Sequence, residues 1–193
     1  MKLKLNLSSN DWDHALLAAV VNEAHKVASA HDNFVGRTSI QKIMYFLKAL
    51  GVPMSYDFEM HHYGPFSSSI LRDMEWLIAD DVIADLSKEP QEYSNYAPGE
   101  GLKQLLSDHQ KGLKQHNERI CKLAKALAPL KPEQLELIAT LDYLLRWEKA
   151  TGGSGPWKPR VVDRFMEVKK EKFSRKRVED AYDVMKNAGF LAE

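Results

Sequence analysis

Trp12, Leu16, Val20, Ala24 and Val27 recur at three- and four-residue steps, one apolar stripe of a helix that Ser9 or Asn10 can cap. Before it, polar residues and Leu alternate from Lys2 to Leu7, the pattern of a short strand or an arm. A second helix is predicted from Thr38, whose hydroxyl would form a capping box with Gln41 three residues on. Ile40, Ile43, Met44, Leu47 and Leu50 supply its buried face, and Gly51 with Pro53 stops it. Tyr56, Phe58 and Met60 then alternate with polar residues, the period of a strand, until Tyr63-Gly64-Pro65 breaks it. Ser67 or Ser68 can start a third helix, with Ile70, Leu71, Met74, Leu77 and Ile78 inward and Asp80-Asp81 at its close. Two β-rich runs follow, Val82 to Leu86 and Tyr93 to Ala97, with a polar turn around Pro90 between them.

The order helix, helix, strand, helix, strand, strand over residues 1–100 is close to that of a winged-helix unit. Residues 101–193 are predicted to be helical throughout, either a separate region or one compact domain with the first. Leu102, Leu106, His109, Leu113, His116, Ile120, Leu123 and Leu127 step by four and three, a heptad seam interrupted by Gly112. Two readings fit it: a long core helix, or two helices broken near Gly112, on one side, and a self-association seam centred on Leu106, His109, Leu113, His116 and Ile120, hence a homodimer, on the other. Pro132 opens a helix carrying Leu135, Ile138, Leu141 and Leu145. After the loop Thr151-Gly152-Gly153-Ser154-Gly155-Pro156, a helix from Pro159 places Val162, Phe165 and Met166 inward. Ser174 caps a last helix with Val178, Ala181, Tyr182 and Met185 inward, ended by Gly189 and Phe190. Helix, short turn, helix makes residues 159–188 a helix-turn-helix candidate. The fold class expected is thus mainly α with a small β wing.

Composition narrows the possibilities. With 44% hydrophobic and 28% charged residues in 193, the chain is foldable and not of a disordered type. Lys plus Arg and Asp plus Glu are both 27, so nothing global draws it to nucleic acid or anionic lipid. The single cysteine, Cys121, forms no internal disulfide, which suits a reducing, cytoplasmic setting. No apolar stretch is long enough for a signal peptide or a membrane span, so no membrane partner is expected.

Charge is uneven locally. From Trp157 to Arg177, Lys158, Arg160, Arg164, Lys169, Lys170, Lys172, Arg175, Lys176 and Arg177 face only Asp163, Glu167 and Glu171, a surplus of six cations. Arg175, Lys176 and Arg177 open a helix, where the macrodipole disfavours cations by roughly 0.3–1 kcal/mol each. An anion at that helix start, such as a DNA phosphate, would make the placement favourable. A solvated basic face, or an acidic protein partner, accounts for it equally. From Asp73 to Asp108 the sign reverses, nine acids against Lys88 and Lys103, a surplus of seven anions. The two patches can also pair with each other.

Catalytic and metal chemistry find little support. His61 and His62 are adjacent in a predicted strand and point to opposite faces. His109 and His116 lie two turns apart, about 10 Å, too far to share a metal ion. No nucleophile elbow, phosphate loop or zinc-protease motif is present, and Gly152-Gly153-Ser154-Gly155 lacks the lysine that would follow in a phosphate loop. The expectation is a non-enzymatic protein with no cofactor and no metal.

Two blocks carry a resemblance. Residues 36–51, Gly-Arg-Thr-Ser-Ile-Gln-Lys-Ile-Met-Tyr-Phe-Leu-Lys-Ala-Leu-Gly, are followed by Tyr63-Gly64-Pro65-Phe66-Ser67 and the helix through Met74, Trp76 and Leu77, then Asp81-Val82-Ile83. Over residues 36–85 they resemble the YwgA-like and Panacea (SocA-type antitoxin) families, whose pattern is a Lys-aliphatic-x-Tyr helix, a Tyr-Gly-Pro-aromatic-Ser turn and a following helix. The region after about residue 130 is more like the YwgA-type layout. The resemblance implies a bacterial or phage-linked winged-helix-like domain that neutralises or delivers a protein partner, a toxin or a protease substrate-delivery partner, or that binds DNA. It implies no catalytic residue. Tyr63, Gly64, Pro65, Phe66 and Ser67 are its motif, and an architectural role suits them, because Pro fixes φ and Gly permits an unusual backbone there.

Overall fold

A computed structural model describes residues 11–31, 33–88 and 93–191. The expected arm at Lys2 to Leu7, the cap at Ser9 or Asn10 and the turn at Pro90 lie outside them. The described chain is mainly helical, with two small antiparallel sheets of two strands each. It divides into two compact units, residues 1–57 with 67–129, and residues 58–66 with 130–193, in place of the expected 1–100 and 101–193. A nine-residue hairpin segment therefore belongs with the C-terminal helices, a grouping that the local pattern does not encode.

In the first unit α1 (Asp11–Ser29) is the central helix. Its stripe is far wider than the periodicity suggests, since every residue from Ala15 to Val21 is buried. It packs on α2 (Arg37–Ala49), α3 (Ser68–Ala79), α4 (Leu102–Asp108), α5 (Gln110–Leu127) and the strand Tyr96–Pro98. β3 (Ile83–Asp85) pairs antiparallel with β4 (Tyr96–Pro98), and Tyr96 N–H also donates to Val35 O.

The expected capping box at Thr38 does not form. α2 starts at Arg37 behind Gly36 with no side-chain cap, and Gln41 is buried and bonded to the backbone of Ser67. A buried backbone segment that lacks secondary-structure partners must find side-chain ones, and Gln41 fills that need. The helix break expected near Gly112 falls at His109, where φ −110° and ψ 14° separate α4 from α5. Gly112 stays helical and makes room for Trp12, whose ring would lie 2.7 Å from a Cβ there.

The second unit holds β1 (Glu59–His61), β2 (Gly64–Phe66), α6 (Pro132–Ala150), α7 (Trp157–Lys169), a 3-10 turn (Lys170–Lys172) and α8 (Arg175–Asn187). Tyr63-Gly64-Pro65 does not end the strand region. It turns it, pairing His61 with Gly64 and Met60 with Pro65. Gly64 adopts φ +85°, which the tight turn needs, and Pro65 takes a position of the two-stranded ladder where no N–H is required. α6 is the core helix, with Leu135, Leu137, Ala139, Leu141, Leu144 and Leu145 buried beside the polar Glu136, Thr140 and Asp142. α7 begins two residues before Pro159. Ser174 caps α8 as expected, accepting from Arg177 N–H. Gly189 at φ +68° ends it, with Phe190 N–H donating to Met185 O.

Candidate functional site

α7 and α8 bring the nine basic residues of the helix-turn-helix candidate together, and α6 supplies acids against them. Lys158 pairs with Asp183 at 2.6 Å, Arg160 with Glu148 at 2.9 Å and Arg164 with Glu167 at 3.0 Å. Lys169 and Lys172 share Glu136, at 3.1 and 2.6 Å. Arg175 meets Asp163 at 2.7 Å, and Arg177 meets Glu133 at 2.6 Å. Seven of the nine cations thus carry a carboxylate partner within their own unit, and Lys170 and Lys176 are exposed. The pairs at Arg175 and Arg177 also answer the dipole problem at the start of α8, because two carboxylates stand where an external anion was expected.

Aromatic faces hold several of these cations. The Arg164 guanidinium lies 4.8 Å from the Trp147 ring centre, and together they flank a depression of about 400 Å³ that Glu148, Arg160, Asp163 and Glu167 also line. Arg177 covers Phe173, and Lys172 stands over Tyr63, 4.8 Å from its ring centre.

The motif residues Tyr63 to Phe66 form the turn and second strand of the β1–β2 hairpin, and Ser67 is the extended N-cap residue before α3. The hairpin tip is held by α7, since the Lys169 ammonium donates to the His62 carbonyl. Lys169 and Glu136 are both almost wholly buried, with side chains 4% and 2% exposed. Burial lowers the Lys169 pKa, and the neighbouring Glu136 carboxylate restores part of the loss. This buried pair escaped the sequence reading. Its signal was Glu136 standing between Leu135 and Leu137 on a helix whose apolar residues nearly encircle it.

A second polar cluster lies in the first unit. The Tyr56 hydroxyl donates to Asp73 at 2.9 Å, and His14 Nε2 lies 3.6 Å from the same carboxylate oxygen. Asp13, buried at 1% exposure, accepts from the Ser55 N–H and hydroxyl. Ser55 and Tyr56 thus tie the segment after Pro53 to α1 and α3, and His14 links α1 to α3.

Of the seam, Leu102, Leu113, Ile120, Leu123 and Leu127 are buried, and Leu106, His109 and His116 are half-buried. The buried members face α1 and α2 within one chain. His116 packs its ring against Trp12, with centres 5.8 Å apart. His61 and His62 are exposed, with rings edge to face at 6.0 Å. Among the described residues no group of three or more His, Cys, Asp or Glu could hold a metal ion.

A groove of about 570 Å³ beside β3 was not foreseen. Ile78, Ile83, Ala84 and Pro98 give it apolar walls, and Asp81 and Glu100 line it as acids. Gly99 brings the chain so close that a Cβ would meet Asp81 O at 2.2 Å, and Asp81 itself adopts φ +57°. Compared with known proteins, the chain matches no family model and no curated protein.

Proposed function

We propose that this is a non-enzymatic binding protein of the antitoxin or adaptor kind, which engages a protein partner through its N-terminal, winged-helix-like half. The observation that carries the reading is the internal pairing of the basic residues on α7 and α8. A cation gains affinity for DNA by releasing counterions from phosphates. Here seven of the cations already hold a carboxylate, which offsets part of that gain, most at the buried Lys169–Glu136 pair and least at the exposed pairs of Lys158, Arg164, Arg175 and Arg177. The acidic surplus between Asp73 and Asp108 further disfavours a polyanion on that half. The resemblance to YwgA-like and Panacea domains fits the same reading, as does a cytoplasmic setting. Among the described residues no helix is long and apolar enough to cross a membrane.

A second reading, a DNA-binding regulator acting through the basic helices, has one specific support: α7, a short turn and a Ser174-capped α8 with Lys170 and Lys176 exposed. The two are separated by titrating random and native-upstream duplex DNA at two salt concentrations, with Lys170→Glu/Lys176→Glu and Arg175→Glu/Lys176→Glu/Arg177→Glu as controls. A protein-partner adaptor gives no binding at low salt, and a cross-linked protein complex that survives high salt. Salt-sensitive DNA binding that both variants lose would replace the adaptor reading with the regulator.

A further inference from the structure

We propose that the groove beside β3 receives an apolar segment of the protein partner bearing lysine or arginine. The inference rests on the adaptor reading and names the chemistry of what the adaptor holds. The walls Ile78, Ala84 and Pro98 are apolar, and the charged residues lining the groove, Asp81 and Glu100, are both acids. The segments that build it, residues 78–84 and 98–100, hold three acids, Asp80, Asp81 and Glu100, and no base, so the local charge favours cations over polyanions.

Strand geometry extends the surface. Leu86 follows β3, and its N–H donates to Asn95 O at 2.8 Å, which carries the ladder one residue past Asp85; the two-residue period of a strand then assigns Leu86, 58% exposed, to the Ala84 face. An extended segment of a few residues spans both, because successive same-face positions are about 6.6 Å apart. Its apolar side chains would cover Ala84 and Leu86, and a cation at its end would meet Glu100. Burying an exposed leucine and desolvating the groove walls supplies affinity, and the acids set which segment fits.

The groove is also a built feature. Gly101 N–H donates to Asp81 O at 2.9 Å, and Gly99 N–H donates to Val82 O at 2.9 Å, which lock the turn after α3 against the end of β4. Asp81 keeps its left-handed backbone through this lock, a conformation that Asp tolerates better than most residues. A partner thus meets a preformed surface and pays little ordering entropy.

The test uses the full chain and two capped nine-residue peptides, one alternating leucine with lysine and one alternating leucine with glutamate, titrated by fluorescence anisotropy. The lysine peptide binds, Glu100→Lys weakens it at least tenfold, Leu86→Ala weakens it severalfold, and the glutamate peptide does not bind. Glu100 is exposed, so an unchanged melting temperature for Glu100→Lys certifies its fold. Asp180→Lys, the same charge reversal at an exposed acid remote in sequence, leaves the affinity unchanged. Equal binding by Glu100→Lys, equal binding of the two peptides, or no binding of the lysine peptide would each overturn the proposal. So would tighter binding by a chain lacking residues 1–8, since the alternating Lys2 to Leu7 would then be the groove's own occupant. A cross-linked partner that Glu100→Lys still retains removes the groove and leaves the adaptor reading standing, whereas DNA binding with no protein complex removes that reading itself.

Discussion

Gln41 and Ser67 are joined twice: the Gln41 Nε2 donates to the Ser67 carbonyl at 2.8 Å, and its Oε1 accepts from the Ser67 N–H at 2.9 Å. One side chain on α2 thereby satisfies both backbone groups of a buried residue at the start of α3. Gln41→Leu leaves both groups without partners in a dry site and costs about 3 kcal/mol, read by urea denaturation. Gln41→Glu can still accept from the N–H, but its ionised oxygen faces the Ser67 carbonyl. Its folded pKa is then raised, so the penalty is absent below about pH 4.3 and grows as pH climbs above it. A flat pH response in Gln41→Glu would contradict the paired geometry.

Gly112 fills a different need from flexibility. An alanine there gains roughly 1 kcal/mol of helix propensity, but its Cβ would press on the Trp12 ring at 2.7 Å. Gly112→Ala is therefore destabilising, by about 1–2 kcal/mol. Combining it with Trp12→Leu recovers stability relative to Trp12→Leu alone, a sign reversal that a double-mutant cycle detects directly.

Tyr56 sets an alkaline limit on the first unit. Burial, reinforced by the neighbouring Asp73 carboxylate, raises its pKa well above the ordinary 10.0. The unfolded tyrosine ionises near 10 and the folded one does not, so the unfolded state holds fewer protons there and stability falls as pH rises past that value. Tyr56→Phe loses the hydrogen bond to Asp73, about 1 kcal/mol at neutral pH, and shows a shallower loss between pH 10 and 11.

Lys169 acts with the opposite sign. Its folded pKa is lowered from 10.5, so the unfolded chain binds the extra proton in the window just below that value and stability gains a rising component there. Lys169→Met removes this component and also strips the donor from His62 O. Lys172 still neutralises Glu136, which limits the cost to about 2–3 kcal/mol at pH 7. Loss of the fold in Lys169→Met, with Lys172 intact, would mean that Glu136 depends on Lys169 alone.

The local pattern located most helices and their ends. The caps at Ser174 and Gly189, the proline start at Pro132 and the turn residues Gly64 and Pro65 act through their own backbone chemistry, which a neighbour cannot change. Thr38 with Gln41 has the spacing of a capping box too, yet a competing buried backbone group takes the glutamine. Periodicity also understated α1 and α6, because a helix buried on nearly every side loses the polar face that makes a stripe visible.

What the sequence determined by itself was the mainly helical character of the chain, the charge blocks and the residues able to carry them, since each depends on residues close together along the chain. Only the tertiary structure decided which charges were already spent. The surplus of cations from Lys158 to Arg177 reads as a binding face until Glu133, Glu136, Glu148 and Asp183 arrive from helices tens of residues away or on the far side of the turn. The groove beside β3 arises the same way, from residues 78–84 and 98–100 brought together by strand pairing. Coulombic and packing energies depend on distance in space, and a linear pattern holds no record of that distance.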